Sequence, residues 1–211
     1  MPLFKTINHS KRTVVYIWKI EESLEQLYNE VVLNDRSSKR VAGMKSESHI
    51  KGFLAVRKLL EIAGYTDFDL FYTEDGKPHL KDGKIITISH SFDFSVIAIS
   101  NDTIGIDIEK NREKIKRIAH KFVGKEKEFL VEENLVEQLT VIWGAKESLF
   151  KIHPDGGLLF IEHLPIDEFN LFHKQTKGYI LKEPLNESYS IYFDIFEGYS
   201  LVYATNDLPL F

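Results

Sequence analysis

The chain has 211 residues, 43% of them hydrophobic and 28% charged, which is typical of a globular protein with one large or two small domains. No apolar run is long enough for a membrane span, and the first residues lack a secretory signal pattern. The net charge of −5 disfavours nucleic acid as a partner. The absence of cysteine excludes disulfides and thiolate metal sites, and it favours a cytoplasmic location.

The N-terminal half alternates between strand and helix signals. Thr13–Ile20 is β-branched and aromatic, which predicts a strand. Ser23–Val32 carries apolar residues at helical spacing, whereas Asn34–Met44 is polar and basic and is predicted to be a loop or a frayed helix. Ser46–Ala63 is the clearest helix, with a serine cap before it and Gly64 after it.

Shorter elements follow. Strands are predicted at Phe68–Thr73, Ile85–Ser89, Ser95–Ser100, Thr103–Glu109, Tyr189–Phe196 and Leu201–Ala204. Asn101 and Asp102 fit a tight turn that joins two neighbouring strands. Helices are predicted at Lys114–Phe122, Lys125–Glu133 and Glu137–Ile152.

Two helical segments resemble each other. Phe53–Leu60 and Trp143–Phe150 match in register at their aromatic, alanine, charged and leucine positions. Two explanations stay open: any amphipathic helix repeats in this way, or the chain consists of two related halves, each with a long helix against strands.

The pentapeptide Gly105–Glu109 carries two carboxylates in a predicted strand. Alternate side chains of a strand share a face, so Asp107 and Glu109 lie side by side, opposite the two isoleucines. Adjacent carboxylates repel each other unless a cation lies between them, and oxygen ligands favour Mg²⁺, Mn²⁺ or Ca²⁺. The alternative is an ordinary solvent-facing edge of an amphipathic strand.

A second pattern lies in the last predicted helix. Trp143, Glu147 and Lys151 recur at a spacing of four residues and therefore share one helix face. Glu147 is a candidate third carboxylate for the ion, Lys151 a candidate phosphate contact, and Lys146 could approach from the flank. The alternative is a surface Glu–Lys pair of little energetic value.

A third pattern, Ser89-His90, lies at a predicted strand end, where a hydroxyl, an imidazole and backbone amides can receive an anion. A Ser–His hydrolase pair is a poor alternative, because adjacent strand residues point to opposite faces. The sequence has no phosphate loop and no dinucleotide fingerprint.

The order of these motifs carries a family resemblance. Asp75-Gly76-Lys77-Pro78 is followed by Ile88–Ser91, Gly105–Glu109 and Trp143–Lys151. Over roughly Ser46–Ile161 the chain resembles the 4′-phosphopantetheinyl transferases of the surfactin-synthetase-activating type. The resemblance implies an α+β fold with two similar subdomains in a pseudo-twofold arrangement, each with a small sheet packed on a long helix. The expected boundaries are 1–102 and 103–211, with the metal site in the second subdomain and the cofactor in a cleft between the two.

The resemblance also implies a reaction. Such enzymes transfer the 4′-phosphopantetheine arm of coenzyme A to a serine of an apo acyl or peptidyl carrier protein. They release adenosine 3′,5′-bisphosphate and require Mg²⁺, for which Mn²⁺ can substitute. The implied metal ligands are Asp107, Glu109 and Glu147. The implied coenzyme A contacts are Lys77, Pro78, Ser89, His90 and Lys151, and the candidate catalytic residues are Glu147 and Lys151.

One position departs from the family pattern. Many relatives carry a basic residue nine positions before the arginine that Arg57 matches, in contact with the 3′-phosphate, and this chain has Ser48 there. Arg57 itself is expected to be a buried tie between a helix and a loop rather than a ligand. Basic residues that could compensate for Ser48 are Arg36, Lys39, Arg40, Lys45 and Lys51.

The segment Lys110–Lys127 is strongly basic, with apolar residues at helical spacing. It is the expected docking site for an acidic carrier protein, and the alternative is a solvated surface helix with its apolar stripe in the core. We expect a monomer without membrane or nucleic-acid partners. Two other functions stay open: a catalytically weak relative that binds coenzyme A or carrier protein, and a Mg²⁺ phosphohydrolase that uses the same acids.

Overall fold

The computed structural model describes residues 3–153 and 156–209, which form two compact units. One unit comprises the residues up to Asp102 together with those from Asp207 on, and the other is Thr103–Asn206. Within the described ranges no helix is both long and apolar enough to cross a membrane.

The strands are β1 (Leu3–Asn8), β2 (Thr13–Lys19), β3 (Leu70–Tyr72), β4 (Pro78–Leu80), β5 (Ile85–Ser91), β6 (Phe94–Ser100), β7 (Ile104–Lys110), β8 (Gln175–Lys182), β9 (Leu185–Phe196) and β10 (Tyr199–Thr205). The α-helices are α1 (Leu24–Glu30), α2 (Asp35–Ala42), α3 (Glu47–Ile62), α4 (Ile115–Ile118), α5 (Leu135–Ile152) and α6 (Phe160–His163). Short 3-10 helices cover Ala119–Lys121, Lys125–Glu128 and Glu132–Asn134.

The first unit consists of an antiparallel four-stranded sheet in the order β1-β2-β6-β5, with α3 packed on it, and a separate β3–β4 hairpin. Strand β6 is buried along its whole length because the helix covers it and strands flank it on both sides. The apolar stripe of α3 meets the sheet through residues such as Val56, Leu59 and Leu60, which are almost completely buried.

The second unit follows the same plan. Its antiparallel sheet has the order β7-β10-β9-β8, and α5 packs against β7 and β10. In each unit the strand that precedes the long helix pairs with the last strand of that unit. The two similar sequence segments occupy α3 and α5, the long helices of the two units. The predicted α+β fold class is confirmed, whereas the pseudo-twofold arrangement of the halves stays a prediction.

Three local predictions are wrong. Asn101 and Asp102 do not join a hairpin, because β6 and β7 belong to different sheets. Lys125–Glu133 contains two short 3-10 helices rather than one α-helix. The expected loop or frayed helix at Asn34–Met44 is the regular helix α2, because the Asn34 side chain caps the amide of Ser37.

The C-terminal segment is anchored in the first unit by Asp207. Its carboxylate accepts hydrogen bonds from the hydroxyls of Ser10 and Thr13, the second at 2.6 Å, and its carbonyl oxygen lies 3.1 Å from His9 Nε2. Arg12 lies 3.4 Å from the same carboxylate. Because Asp207 is almost completely buried, these partners replace the water that it loses on folding.

Arg57 is the buried tie that the sequence predicts. Its side chain is 2% exposed, and Nε donates to Asp67 Oδ1 at 2.8 Å. Nη1 donates to Phe53 O and Nη2 to Ser37 Oγ, each at 3.1 Å. Asp67 also accepts from the backbone amide of Asn34 at 2.9 Å. The ion pair therefore joins α3 to α2 and to the loop that follows α3.

We expect Asp67→Asn to lower the free energy of unfolding by about 3 kcal/mol, because it leaves the Arg57 charge buried without its carboxylate. Urea denaturation measures the change. Glu74→Gln is the matched control, since Glu74 is exposed and the same chemical change should cost less than about 0.5 kcal/mol there. Equal effects of the two substitutions would contradict the assignment.

Candidate active site

Two glycines allow α5 to lie directly on β7, the strand that carries the Asp107 motif, and on its neighbour β10. A Cβ on Gly105 would overlap the backbone carbonyl oxygen of Ser148, and one on Gly144 would lie 2.8 Å from Val202 Cγ2. The Ser148 hydroxyl adds a bond across this contact, because it donates to Val202 O at 3.1 Å as well as to Gly144 O at 2.7 Å. Sequence reasoning missed Gly144, although a glycine inside a helix often marks such a close approach.

Asp107 faces α5 and is only 5% exposed. Its Oδ2 atom would be 3.7 Å from a Cβ on Gly144, and its Oδ1 atom is 3.0 Å from Lys151 Nζ. The carboxylate thus lies along the stretch of helix between Gly144 and Lys151, and Glu147 stands between these two positions. The alternative of a solvent-facing strand edge is wrong for Asp107. Glu109, two residues further along β7, is half-buried.

Glu147 has a strongly altered acidity. Burial, and then the negative charges of Asp107 and Glu109, raise its pKa from 4.5 to about 7, while the Lys151 ammonium works in the opposite direction. Asp107 and Glu109 are therefore near enough to Glu147 for their charges to affect its pKa.

The ammonium group of Lys151 is hydrogen-bonded to residues of β7. Its Nζ atom donates to the carbonyl oxygen of Ile106 at 2.6 Å and to Asp107 Oδ1 at 3.0 Å. The side chain remains 28% exposed. Lys151 thus lies among the predicted acidic ligands, one turn after Glu147 on the same face of α5.

The expectation that Lys146 flanks the site is wrong. Its side chain is completely buried, and Nζ lies 2.7 Å from Glu126 Oε1 and 3.0 Å from Phe160 O. Glu126 in turn accepts from the backbone amides of Gly124 and Ile166, at 2.7 and 3.1 Å. Burial lowers the pKa of Lys146, and the ion pair with Glu126 partly offsets this effect. Lys146 is therefore a structural tie between α5 and the loops around it.

Asp107, Glu109 and Glu147 are called the carboxylate cluster below, and a hard divalent cation suits them chemically. Among the described residues, no three His, Asp or Glu side chains already converge in the way that a bound metal requires. Burial is the main cause of the raised pKa of Glu147, and the negative charges of Asp107 and Glu109 add to it. A cation would neutralise these negative charges. Carboxylate oxygens are also the ligands that Mg²⁺ and Mn²⁺ prefer.

The other predicted contacts lie in the first unit. Ser89 is half-buried and His90 is exposed near the end of β5. The His90 ring lies directly on α3, since a Cβ on Gly52 would be 2.5 Å from it, and its centroid is 5.7 Å from that of His49. Gly52 is a second mid-helix glycine that sequence reasoning missed.

Lys77 and Pro78 lie in the β3–β4 hairpin, both half-buried. Pro78 pairs with Tyr72, and the backbone oxygen of Tyr72 accepts from Arg36 Nη1 at 3.0 Å. The guanidinium groups of Arg36 and Arg40 lie 5.9 and 5.0 Å from the centre of the Tyr72 ring. The structure therefore brings two exposed arginines of α2 next to the hairpin that carries the predicted coenzyme A contacts Lys77 and Pro78.

The other basic residues that could compensate for Ser48 do not form a cluster like that of Arg36 and Arg40. Ser48 is exposed in the first turn of α3, and Lys39 and Lys45 are also exposed. Lys51 forms an ion pair with Glu47 at 3.4 Å.

The basic segment Lys110–Lys127 is not one continuous helix. It contains α4 and two short 3-10 helices, and Phe122 is completely buried in the core. Lys116 is paired with Glu113 at 3.1 Å, whereas Arg117 is exposed. Other exposed cations of the segment are Arg112, Lys114, Lys121, Lys125 and Lys127. The apolar residues are core and the charges are solvated, which leaves a basic surface.

Comparison with known proteins agrees with the resemblance. Residues 103–204 match the family model of the 4′-phosphopantetheinyl transferase superfamily. The chain is 32% identical over 157 residues to the 4′-phosphopantetheinyl transferase gsp of Aneurinibacillus migulanus, a match that covers 70% of this chain. The chain spans 64% of the length of that curated relative. The predicted resemblance is confirmed.

The pKa of Glu147 predicts a pH-dependent stability. The pKa of Glu147 is 4.5 in the unfolded chain and about 7 in the folded, metal-free protein. The folded state therefore binds this proton more tightly, and protonation of Glu147 favours folding. Its stabilising contribution is complete below pH 4.5 and is lost as the pH rises through 7. Urea denaturation in EDTA should therefore show wild type losing stability over this range relative to Glu147→Gln. A constant difference between the two proteins would contradict the pKa shift.

Proposed function

Because residues 103–204 match the family model of the 4′-phosphopantetheinyl transferase superfamily, we propose that this protein transfers phosphopantetheine to a carrier protein. The donor is coenzyme A, the acceptor is a serine of an apo acyl or peptidyl carrier protein, and the second product is adenosine 3′,5′-bisphosphate. The proposal places the protein in the cytoplasm, acting as a monomer.

The observation that carries this proposal is the carboxylate cluster. The negative charges of Asp107 and Glu109 act on Glu147, and the order of the two motifs that supply these residues is that of the family. A phosphohydrolase could use the same three acids. It would have no need for the Lys77-Pro78 hairpin with its adjacent arginines, which suits the nucleotide part of coenzyme A.

The roles of the residues follow from their chemistry. Asp107, Glu109 and Glu147 would hold Mg²⁺ or Mn²⁺, which supplies neutralisation of pyrophosphate charge when bound. Glu147 takes the proton of the attacking serine hydroxyl, directly or through a water. The serine oxygen then bonds to the phosphorus next to pantetheine, and the bond from that phosphorus to the oxygen bridging to the adenosine bisphosphate breaks. Lys151 donates to the phosphate oxygens.

Residues of the first unit bind the nucleotide part of the donor. Lys77 and Pro78 contact the adenine and its ribose phosphate, and Ser89 and His90 donate to phosphate oxygens. Arg36 and Arg40 bind the 3′-phosphate in place of the basic residue that many relatives carry at the position of Ser48. Both arginines are exposed and lie beside Tyr72, the strand partner of Pro78.

The basic segment Lys110–Lys127 receives the carrier protein. Arg117 is exposed, whereas the charge of the neighbouring Lys116 is partly neutralised by Glu113. An acidic carrier surface would therefore interact more with Arg117 than with Lys116.

The decisive experiment is intact mass spectrometry of candidate apo carrier proteins after incubation with this protein, coenzyme A and Mg²⁺. Phosphopantetheine addition to at least one carrier is expected, together with its loss in Asp107→Asn. Glu147→Gln should lower kcat at least about a hundredfold if Glu147 is the base. Near-normal turnover of that variant would remove Glu147 from this role.

Two outcomes would overturn the transferase proposal. Binding of coenzyme A without transfer to any carrier of the same organism would indicate a binding relative. Hydrolysis of phosphoesters without a carrier would indicate a phosphohydrolase. Lys177→Glu is the activity control, because Lys177 is an exposed residue of β8 outside the proposed site.

Arg36→Ala or Arg40→Ala should raise KM for coenzyme A about tenfold, because each removes a charge-assisted contact to the 3′-phosphate. The matched test uses 3′-dephospho-coenzyme A as the donor. Its KM should be the same for wild type and variants, since the contact is missing in all cases. A parallel rise for both donors would contradict the assignment.

Arg117→Glu should raise KM for the carrier protein roughly tenfold and leave KM for coenzyme A unchanged. Lys116→Glu should have a smaller effect because of its ion pair. Lys177→Glu makes the same charge change elsewhere in the unit and should affect neither constant. Equal changes in both KM values for Arg117→Glu would exclude a docking role.

A further inference from the structure

Lys151 connects α5 to the strand that carries Asp107. Its Nζ atom donates to Ile106 O at 2.6 Å and to Asp107 Oδ1 at 3.0 Å. The Asp107 side chain is 7% exposed and that of Lys151 is 28% exposed. The ammonium group therefore binds a buried carboxylate while its side chain keeps partial access to solvent.

Charges of both signs meet at this place. Asp107 and Glu109 act on Glu147 as negative charges, and Lys151 acts on it as a positive charge. A divalent cation that binds the same carboxylates would lie close to the ammonium, and like charges repel strongly in a partly buried place.

We propose that Lys151 is an internal counter-ion whose bond to Asp107 competes with a divalent cation for the carboxylate cluster. This inference rests on the proposed function, which assigns the cation to Asp107, Glu109 and Glu147. Lysine suits such an exchange because its compact ammonium sits on a flexible stem and gains hydration when it leaves.

The competition gives Lys151 two successive partners. In the metal-free protein its ammonium stabilises buried Asp107. When a cation takes over the carboxylates, the ammonium becomes available to an anion, which is the phosphate contact that the proposed reaction requires. Lys151 thereby couples the loading of the cluster to the binding of the donor.

Direct Mn²⁺ binding to the metal-free full chain, without coenzyme A, tests the inference. The free Mn²⁺ signal in electron paramagnetic resonance gives the Kd. Lys151→Met removes the ammonium and keeps an unbranched side chain, so it should bind Mn²⁺ about tenfold more tightly than wild type. Lys151→Arg keeps the charge and should stay close to wild type, and Lys177→Met is the control elsewhere in the unit.

Thermal unfolding gives a second readout that a purely structural lysine would not produce. In EDTA, Lys151→Met should have a lower Tm than wild type, because Asp107 loses its ammonium partner. Upon addition of MnCl₂ the variant should gain more in Tm than wild type, because tighter binding stabilises the folded state more. A lower Tm with an unchanged gain would contradict competition.

The outcomes separate this inference from the proposed function. Weaker or equal Mn²⁺ binding by Lys151→Met overturns the inference. If Asp107→Asn abolishes Mn²⁺ binding in the same experiment, the proposed metal site stands and only the competition is wrong. If Asp107→Asn leaves Mn²⁺ binding unchanged, the assignment of the metal to this cluster is wrong, and the inference is overturned with it.

Discussion

The candidate site depends on the close approach of α5 to β7. Gly105 lies against the backbone of Ser148, and Gly144 lies against Val202, so neither position has room for a side chain. This contact places the face of α5 that carries Glu147 directly over Asp107, and the two motifs acquire a shared chemistry that neither has alone. Glycine inside a helix or strand costs about 0.5–1 kcal/mol relative to alanine. This cost is offset because a side chain at either position would push α5 away from the sheet, and Glu147 away from Asp107.

Buried ion pairs hold the irregular parts of both units. Arg57–Asp67 fixes the loop after α3, and Lys146–Glu126 fixes the 3-10 helix Lys125–Glu128. In both pairs the carboxylate also accepts backbone amides of a loop, so the charge pair organises chain that has no regular hydrogen-bond pattern. Removing a single partner from such a pair leaves a charge without solvation, which makes these loops sensitive to substitution.

The periodicity of the sequence predicted the long helices and the faces of the strands. It did not predict contacts whose partners come from distant segments of the chain. The spacing of apolar residues located α3 and α5, and alternation in β7 placed Asp107 and Glu109 on one face. The role of Lys146 was missed because helical geometry gives the direction of a side chain but not the loop that receives it. Strand β8 was missed because its polar residues give little alternation, and it forms through pairing with β9. The motif order indicated the family whose model the second unit matches. The bond between Lys151 and Asp107 could not be predicted, because it requires the packing of α5 on β7.

The attachment of Asp207 to the first unit has a topological consequence. The chain leaves that unit after Asp102 and returns to it at Asp207, so the second unit is an insertion between β6 and the C-terminal anchor. The two ends of the inserted part are adjacent, since Thr205 Oγ1 donates to Thr103 O at 2.9 Å and β10 pairs with β7. An insert whose ends lie side by side can be exchanged or duplicated with little disturbance of its host. Positions 103 and 206 are therefore suitable boundaries for building chimaeras between relatives.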